Sequence, residues 1–198
     1  MPPVPITQFT LGVHIDTFLE LFCRTSTWYE DFLTHKLMNL SVSVSDWTPS
    51  VGNDKVLTRT IRSYHPSKIS FPGLPSHAEV DMSITTSLDT SHSHNIVYYL
   101  QSWKVQTLEI ISFENDVVEK VLLKEVTSLQ GIPYADYFNV VTDWAIISSP
   151  SSSIKQPGSS PSCKVSISLE VKFLKSTWLQ GTIESNTKAE LVGVYELW

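Results

Sequence analysis

The sequence predicts an α+β domain: an antiparallel sheet, two short helices near the N-terminus and one long C-terminal helix. Three observations carry this. From Cys163 to Phe173 every odd position is apolar and every even position polar or charged, the two-residue period of a half-buried strand. The period then lengthens. Trp178, Leu179, Ile183, Leu191, Tyr195 and Trp198 recur at roughly helical spacing, with Lys175, Gln180, Glu184, Lys188 and Glu196 on the other side. Between the two ends of the chain, short alternating runs are broken by Pro, Gly, Asn and Asp turns.

In chain order, residues 1–5 (Met-Pro-Pro-Val-Pro) are expected to be disordered and the domain to occupy 6–198. Gln8 to Val13 reads as a short strand. His14 to Cys23 follows as a helix, with Phe18, Leu21 and Phe22 at helical spacing. Ser26 or Thr27 can cap a second helix carrying Trp28, Phe32 and Leu33. Leu40 to Trp47 and Lys55 to Tyr64 are strands separated by the turn Gly52-Asn53-Asp54. His65 to Ser76 holds three prolines and a glycine and reads as a loop, yet carries Ile69, Phe71 and Leu74. Such residues either fold back on the core or touch something outside the protein. Ala78 to Ile84 alternates cleanly. Asn95 to Leu108 holds the apolar run Ile96 to Leu100 and Trp103, Asp116 to Val126 is strand-like, and Phe138 to Ile147 places Phe138, Val140, Trp144 and Ile146 on one face. Residues 148–162 hold eight Ser, three Pro and a Gly, and so read as a flexible loop. Thr177 and Gln180 fit a capping box at the start of a terminal helix of about 20 residues, roughly 30 Å long.

The totals exclude several classes. A length of 198 residues is ample for one core. A net charge of −6 argues against nucleic acid as a partner, because phosphate neutralisation needs clustered Lys and Arg. The two cysteines, Cys23 and Cys163, read as buried thiols rather than a disulfide, which fits a reducing cytosol. No signal peptide is evident, and no apolar run approaches the ~20 residues of a membrane span. The expected setting is therefore cytoplasmic, with any membrane contact peripheral. The sequon Asn39-Leu40-Ser41 carries no weight without secretion.

Catalytic and metal motifs are wanting. Ser91-His92-Ser93-His94 brings two imidazoles together, but no Cys, Asp or Glu joins them at ligand spacing, so no metal is expected. There is no G-x-S-x-G, no phosphate loop and no H-E-x-x-H. Cys23 would need a His beside it to act as a nucleophile, and a core thiol is the simpler reading. Glu79 and Asp81 sit on the polar phase of a strand. No cofactor is implied. The remaining unusual segment is Gly131-Ile-Pro-Tyr-Ala-Asp-Tyr-Phe138, by physics alone an aromatic-rich turn between strands.

That segment resembles the Pro-Tyr-Gly-Asp-Tyr-Phe-type signature of the VASt domain. VASt is the StAR-related lipid-transfer-like module of plant GRAM-domain proteins and of the Aster and Lam sterol transporters. The closing stretch Val171-Lys-Phe-Leu-Lys-Ser-Thr-Trp-Leu-Gln-Gly-Thr-Ile-Glu184 resembles that family's ending, most closely in its plant branch. Phe18-Leu-Glu-Leu-Phe22 with Trp28-Tyr29 and Phe32-Leu33 matches its helical start. The resemblance spans roughly Ile6 to Trp198. Ala135 stands where Gly is common, and residues 91–115 are more chain than usual, read as an insertion on the sheet edge. The GRAM domain and membrane span of full-length members are missing here, so the chain is expected to be a fragment or a short isoform.

The resemblance implies a helix-grip (StART-like) fold, with the sheet curved around the terminal helix and a cavity for one sterol. It makes Ile69, Phe71 and Leu74 lid residues. The candidate cavity wall is Phe138, Trp144 and Ile146 from one strand, Val171 and Phe173 from the next, and Trp178 and Ile183 from the helix. The expected function is binding, and transfer between membranes, of a sterol or similar hydrophobic lipid, without covalent chemistry. Peripheral membrane contact, at sites such as those of the endoplasmic reticulum, is implied with it. A protein partner or an absent GRAM or anchoring region would supply targeting. The alternatives are a protein-interaction scaffold that has filled the cavity, and an enzyme, since related folds include cyclases.

Overall fold

A computed structural model describes residues 3–24, 26–67, 98–112, 118–130, 133–148 and 162–197. Within them the chain forms one antiparallel sheet of eight strands, in the order β1-β8-β7-β6-β5-β4-β2, with β3 paired to β4. The strands are β1 Val4–Leu11, β2 Leu40–Val44, β3 Thr48–Ser50, β4 Asn53–Ser67, β5 Tyr98–Ser112, β6 Val118–Gln130, β7 Phe138–Ser148 and β8 Cys163–Phe173. The helices are α1 Ile15–Leu19, α2 Ser26–Asp31 and α3 Gln180–Tyr195. The order of strand, two short helices, strands and terminal helix is the one the periodicities predict.

The clearest pattern gives the clearest element. β8 buries Cys163, Val165, Ile167 and Leu169 on its odd phase, as the alternation requires. Cys163 is a free thiol, and burial raises its pKa. β1 begins at Val4, inside the 1–5 stretch expected to be disordered, and pairs with β8 at the sheet edge. Pro5 hides this in the sequence. Proline lacks a ladder N–H, which an edge strand tolerates, and the register shifts between Pro5 and Thr7.

Two other boundaries move. His65, Pro66 and Ser67, expected to open a loop, continue β4 and pair with Leu100, Tyr99 and Tyr98. Residues 98–112, expected within an edge insertion, form β5 between β4 and β6, inside the sheet. The reading failed because β5 turns its polar phase inward. Gln106 is buried while Trp103 and Val105 are exposed, and Arg62 of β4 covers the Trp103 ring at 4.3 Å. The turn before β4 is Val51-Gly52, where Gly52 takes a φ of 83° that favours glycine. The Ala78–Ile84 strand, the lid residues and the histidine pair lie outside the described residues.

α1 and α2 are each prolonged by a π-helical turn, Glu20–Arg24 and Phe32–Lys36. His14 caps α1 by accepting from the Asp16 amide at 3.3 Å. Ile15, Phe18, Leu19, Phe22, Tyr29, Phe32 and Leu33 form their buried side. They pack with Leu108, Val121, Leu123, Trp144, Ile146 and Val165 of the sheet. Phe22 sits at the centre, ringed by Phe18 at 5.2 Å, Tyr29 at 5.1 Å and Trp144 at 6.0 Å. Phe22→Ala should cost about 3–5 kcal/mol, the usual result of truncating a buried ring. Denaturant unfolding checks this, and a loss below about 1 kcal/mol would mean the helices are not the sheet's cover.

Candidate functional site

The candidate wall residues meet on one face of the sheet, with one exception. Register sets Phe138 opposite Phe173, Val140 opposite Val171, Trp144 opposite Ile167 and Ile146 opposite Val165. Side chains two apart share a face, so Phe138, Trp144 and Ile146 of β7 stand beside Val171 and Phe173 of β8. Ile183 of α3 packs with Phe138, Val140, Leu169 and Leu179, joined by Val171 and Phe173. Trp144 and Ile146 belong to the neighbouring cluster, where the Trp144 ring meets Tyr195 of α3 edge-on at 5.3 Å. Phe22 and Tyr195 both touch Trp144, so the N-terminal helices and α3 cover the same face.

Trp178 is the exception. It is 84% exposed and lines no interior. The expected capping box does not form. Instead the Thr177 hydroxyl accepts from the Leu179 amide at 3.2 Å, and Leu179 takes the N-cap position. The helix therefore starts at Gln180 with 16 residues, about 24 Å. Leu179, not Trp178, turns inward.

The covered face also carries a row of polar side chains. Arg59 of β4 lies opposite Gln106 of β5, Gln106 opposite Glu125 of β6, and Glu125 opposite Thr142 of β7. Arg59 is 2% exposed and Glu125 3%. A buried charge costs several kcal/mol unless its polar needs are met; Glu125 is ion-paired and hydrogen-bonded, and Arg59 is hydrogen-bonded and lies over aromatic rings. Arg59 Nε donates to Gln106 Oε1 at 2.6 Å, and its Nη2 donates to the Phe22 carbonyl at 3.4 Å. Its guanidinium lies 4.4 Å from the centre of the Trp47 ring and 4.9 Å from that of Tyr29. Glu125 accepts from the Gln106 amide, from Thr142 Oγ1 at 3.0 Å and from Tyr29 Oη at 3.3 Å. Lys104 Nζ lies 3.4 Å from both carboxylate oxygens.

Burial pushes the Glu125 carboxyl up, but Lys104, Gln106 and Thr142 together outweigh it, and the pKa ends below the ordinary value. Burial and the Glu125 charge both push the Tyr29 hydroxyl well up, so it stays a neutral donor. Burial raises Tyr195 in the same way.

The row escapes a reading that sends polar residues outward. The signal was present: each member has apolar neighbours two residues away, as in Leu57-Arg59-Ile61, Gln106-Leu108, Leu123-Glu125 and Val140-Thr142-Trp144. Only the cross-strand register shows that the four positions align. A second polar link ties α3 to the far side of the sheet. His65 of β4 meets Glu190 of α3 through Nε2 at 2.8 Å and Asn39 Oδ1 through Nδ1 at 3.0 Å. Asn39 in turn donates to Ser63 at 3.1 Å. Among the described residues no group of His, Cys, Asp or Glu is arranged to hold a metal. No described helix is long and apolar enough to cross a membrane.

Two of the three sequence motifs that carry the resemblance also meet in space. The backbone amide of Leu174 donates to the Tyr137 carbonyl at 2.7 Å, and Lys175 pairs with Asp136. Tyr134 takes the left-handed conformation, at φ 64°. Ala135 opens a one-turn 3-10 helix, a conformation that needs no glycine.

An open antiparallel sheet with a C-terminal helix and few short helices is compatible with the StAR-related lipid-transfer class of domain. The family model "VAD1 Analog of StAR-related lipid transfer domain" matches residues 5–190. The chain belongs to this VASt family, and membership supports lipid binding or transfer in general terms. No curated protein matches it significantly.

Two outcomes test the polar row. Glu125→Ala leaves the Lys104 charge without its carboxylate and the Gln106, Thr142 and Tyr29 donors without their acceptor, and should cost about 3–5 kcal/mol, with Glu125→Gln milder. The pH profile has a definite sign. A carboxyl whose pKa is lower folded than unfolded stabilises the fold above its unfolded value of about 4.3 and loses that as pH falls through the folded value. Wild-type unfolding midpoints should therefore fall on acidification below about pH 4, and Glu125→Gln should flatten that limb.

Proposed function

We propose that the domain takes up one hydrophobic lipid, a sterol or a molecule of similar shape, between the covered face of the sheet and α3, in a helix-grip arrangement. Support comes from the contrast on that face. Apolar rings from β7, β8 and α3 share that face with the polar row that runs from β4 to β7, in a chain whose family is one of lipid-transfer domains. Removing apolar surface from water drives uptake at about 25 cal/mol per Å². A few polar groups in an apolar site fix orientation, and the Arg59–Thr142 row suits the polar end of such a ligand. The activity is carriage rather than catalysis. Exchange occurs at membranes by peripheral contact, contact sites of the endoplasmic reticulum among them, and Ile69, Phe71 and Leu74 form the lid. Targeting comes from a protein partner or from a GRAM or anchoring region outside this chain.

One observation favours a second reading. Trp144 meets both Phe22 and Tyr195 across the space between sheet and helices, as it would in a scaffold that has filled its interior. Titration with a fluorescent sterol separates the two. Lipid uptake predicts saturable binding that Phe138→Ala and Trp144→Ala each weaken by about ten- to a hundredfold, the equivalent of the roughly 1.5–3 kcal/mol a buried side chain contributes. Phe71→Asp should slow transfer between vesicles. A folded wild-type chain that shows no saturable binding establishes the scaffold instead.

A further inference from the structure

Burial accounts for most of the aromatic side chains on this chain's described surface, but not for the loop that enters α3. Leu174 is 55% exposed and Trp178 84%. They flank Lys175, Ser176 and Thr177, all between β8 and α3. The loop is held in place. The amides of Leu174 and Lys175 donate to the Tyr137 carbonyl at 2.7 and 3.3 Å, and the Thr177 hydroxyl fixes the turn at Leu179. Its apolar side chains nevertheless face solvent. Beside it the Tyr134 and Tyr137 rings meet edge-on at 5.2 Å, and Lys175 Nζ lies 5.0 Å from the centre of the Tyr137 ring. Lys172, near the end of β8, is also exposed.

We infer that the loop Leu174–Trp178, with Tyr134 and Tyr137 beside it, is a surface that docks onto a lipid bilayer. The residue types match the layers of a membrane interface. Trp and Tyr are amphipathic and settle at the headgroup boundary, Leu enters the acyl region, and Lys keeps its ammonium among the phosphates. A protein partner fits less well. A loop of five residues offers far less than the roughly 800 Å² each side contributes to a stable protein interface, whereas insertion into a bilayer needs no complementary surface. Asp136 offsets the charge of Lys175, so apolar insertion carries the contact and anionic lipid is not required.

The site deepens the proposed lipid uptake, on which its purpose rests. Leu179, the next residue, is buried with Ile183 and Phe138. Docking here sets the membrane against the end of the interior that β7, β8 and α3 enclose.

The test uses no carried lipid. Wild-type protein should co-float with phosphatidylcholine vesicles, and brominated phosphatidylcholine should quench a fluorescence component that Trp178→Phe removes. The double variant Leu174→Asp, Trp178→Asp should stay with the soluble fraction, at least tenfold less bound, with an unchanged unfolding midpoint because both positions are exposed. Flotation of the double variant equal to wild type overturns the inference, as does wild-type protein that never floats. Saturable sterol binding in solution alongside failed flotation would refute this docking surface and leave lipid uptake standing.

Discussion

The carboxylate of Glu125 governs the arrangement of the whole covered face. A charge at that depth is tolerated only when its hydrogen-bonding and electrostatic needs are met from several directions. They are met by Gln106 and Lys104 on one neighbouring strand, Thr142 on the other and Tyr29 from α2. Slipping any of these strands by one residue would turn its contribution to the opposite face. Apolar packing alone tolerates several near-equivalent arrangements. The row therefore specifies register where the hydrophobic effect supplies stability, and it anchors the N-terminal helices to the sheet through Tyr29 and the Phe22 carbonyl.

The closing segment does a different job. β8 carries the strongest alternation in the chain and pairs with both β1 and β7. The turn after it joins the Tyr134–Tyr137 turn through backbone bonds, and α3 then crosses back over the face that β7 and β8 present. Two of the three motifs that carry the family resemblance thus form one physical unit. The aromatic turn receives the β8–α3 loop, and together they set the angle at which the helix enters.

Legibility followed the cleanness of the pattern. β7 and β8 were readable because nearly every inward residue is apolar, and five of the seven candidate wall residues lie on these strands, on one face. Ile183 was readable from helical spacing. Trp178 was not, because whether a helix starts at residue 178 or 180 decides which side chain turns inward, and a local hydroxyl bond at Thr177 settled it. β5 and the polar row were hidden for one shared reason. Their inward positions hold Gln, Glu, Arg and Thr, which single-chain patterning assigns to solvent, and the compensating partners sit on strands distant in sequence. The lid residues Ile69, Phe71 and Leu74 lie outside the described residues.

The His65–Glu190 link has a consequence for how the molecule comes apart. β1 and β8 carry the start of α3 at one side of an open sheet, while His65 holds its later turns from β4, on the opposite side of the strand order. The helix is thereby fastened at both ends, like a brace across a frame that no described strand closes. Terminal helices commonly fray as separate low-energy units. This one shares its fate with the strands it spans, so its backbone amides should exchange with solvent alongside those of β4 and β8, as part of a single cooperative opening.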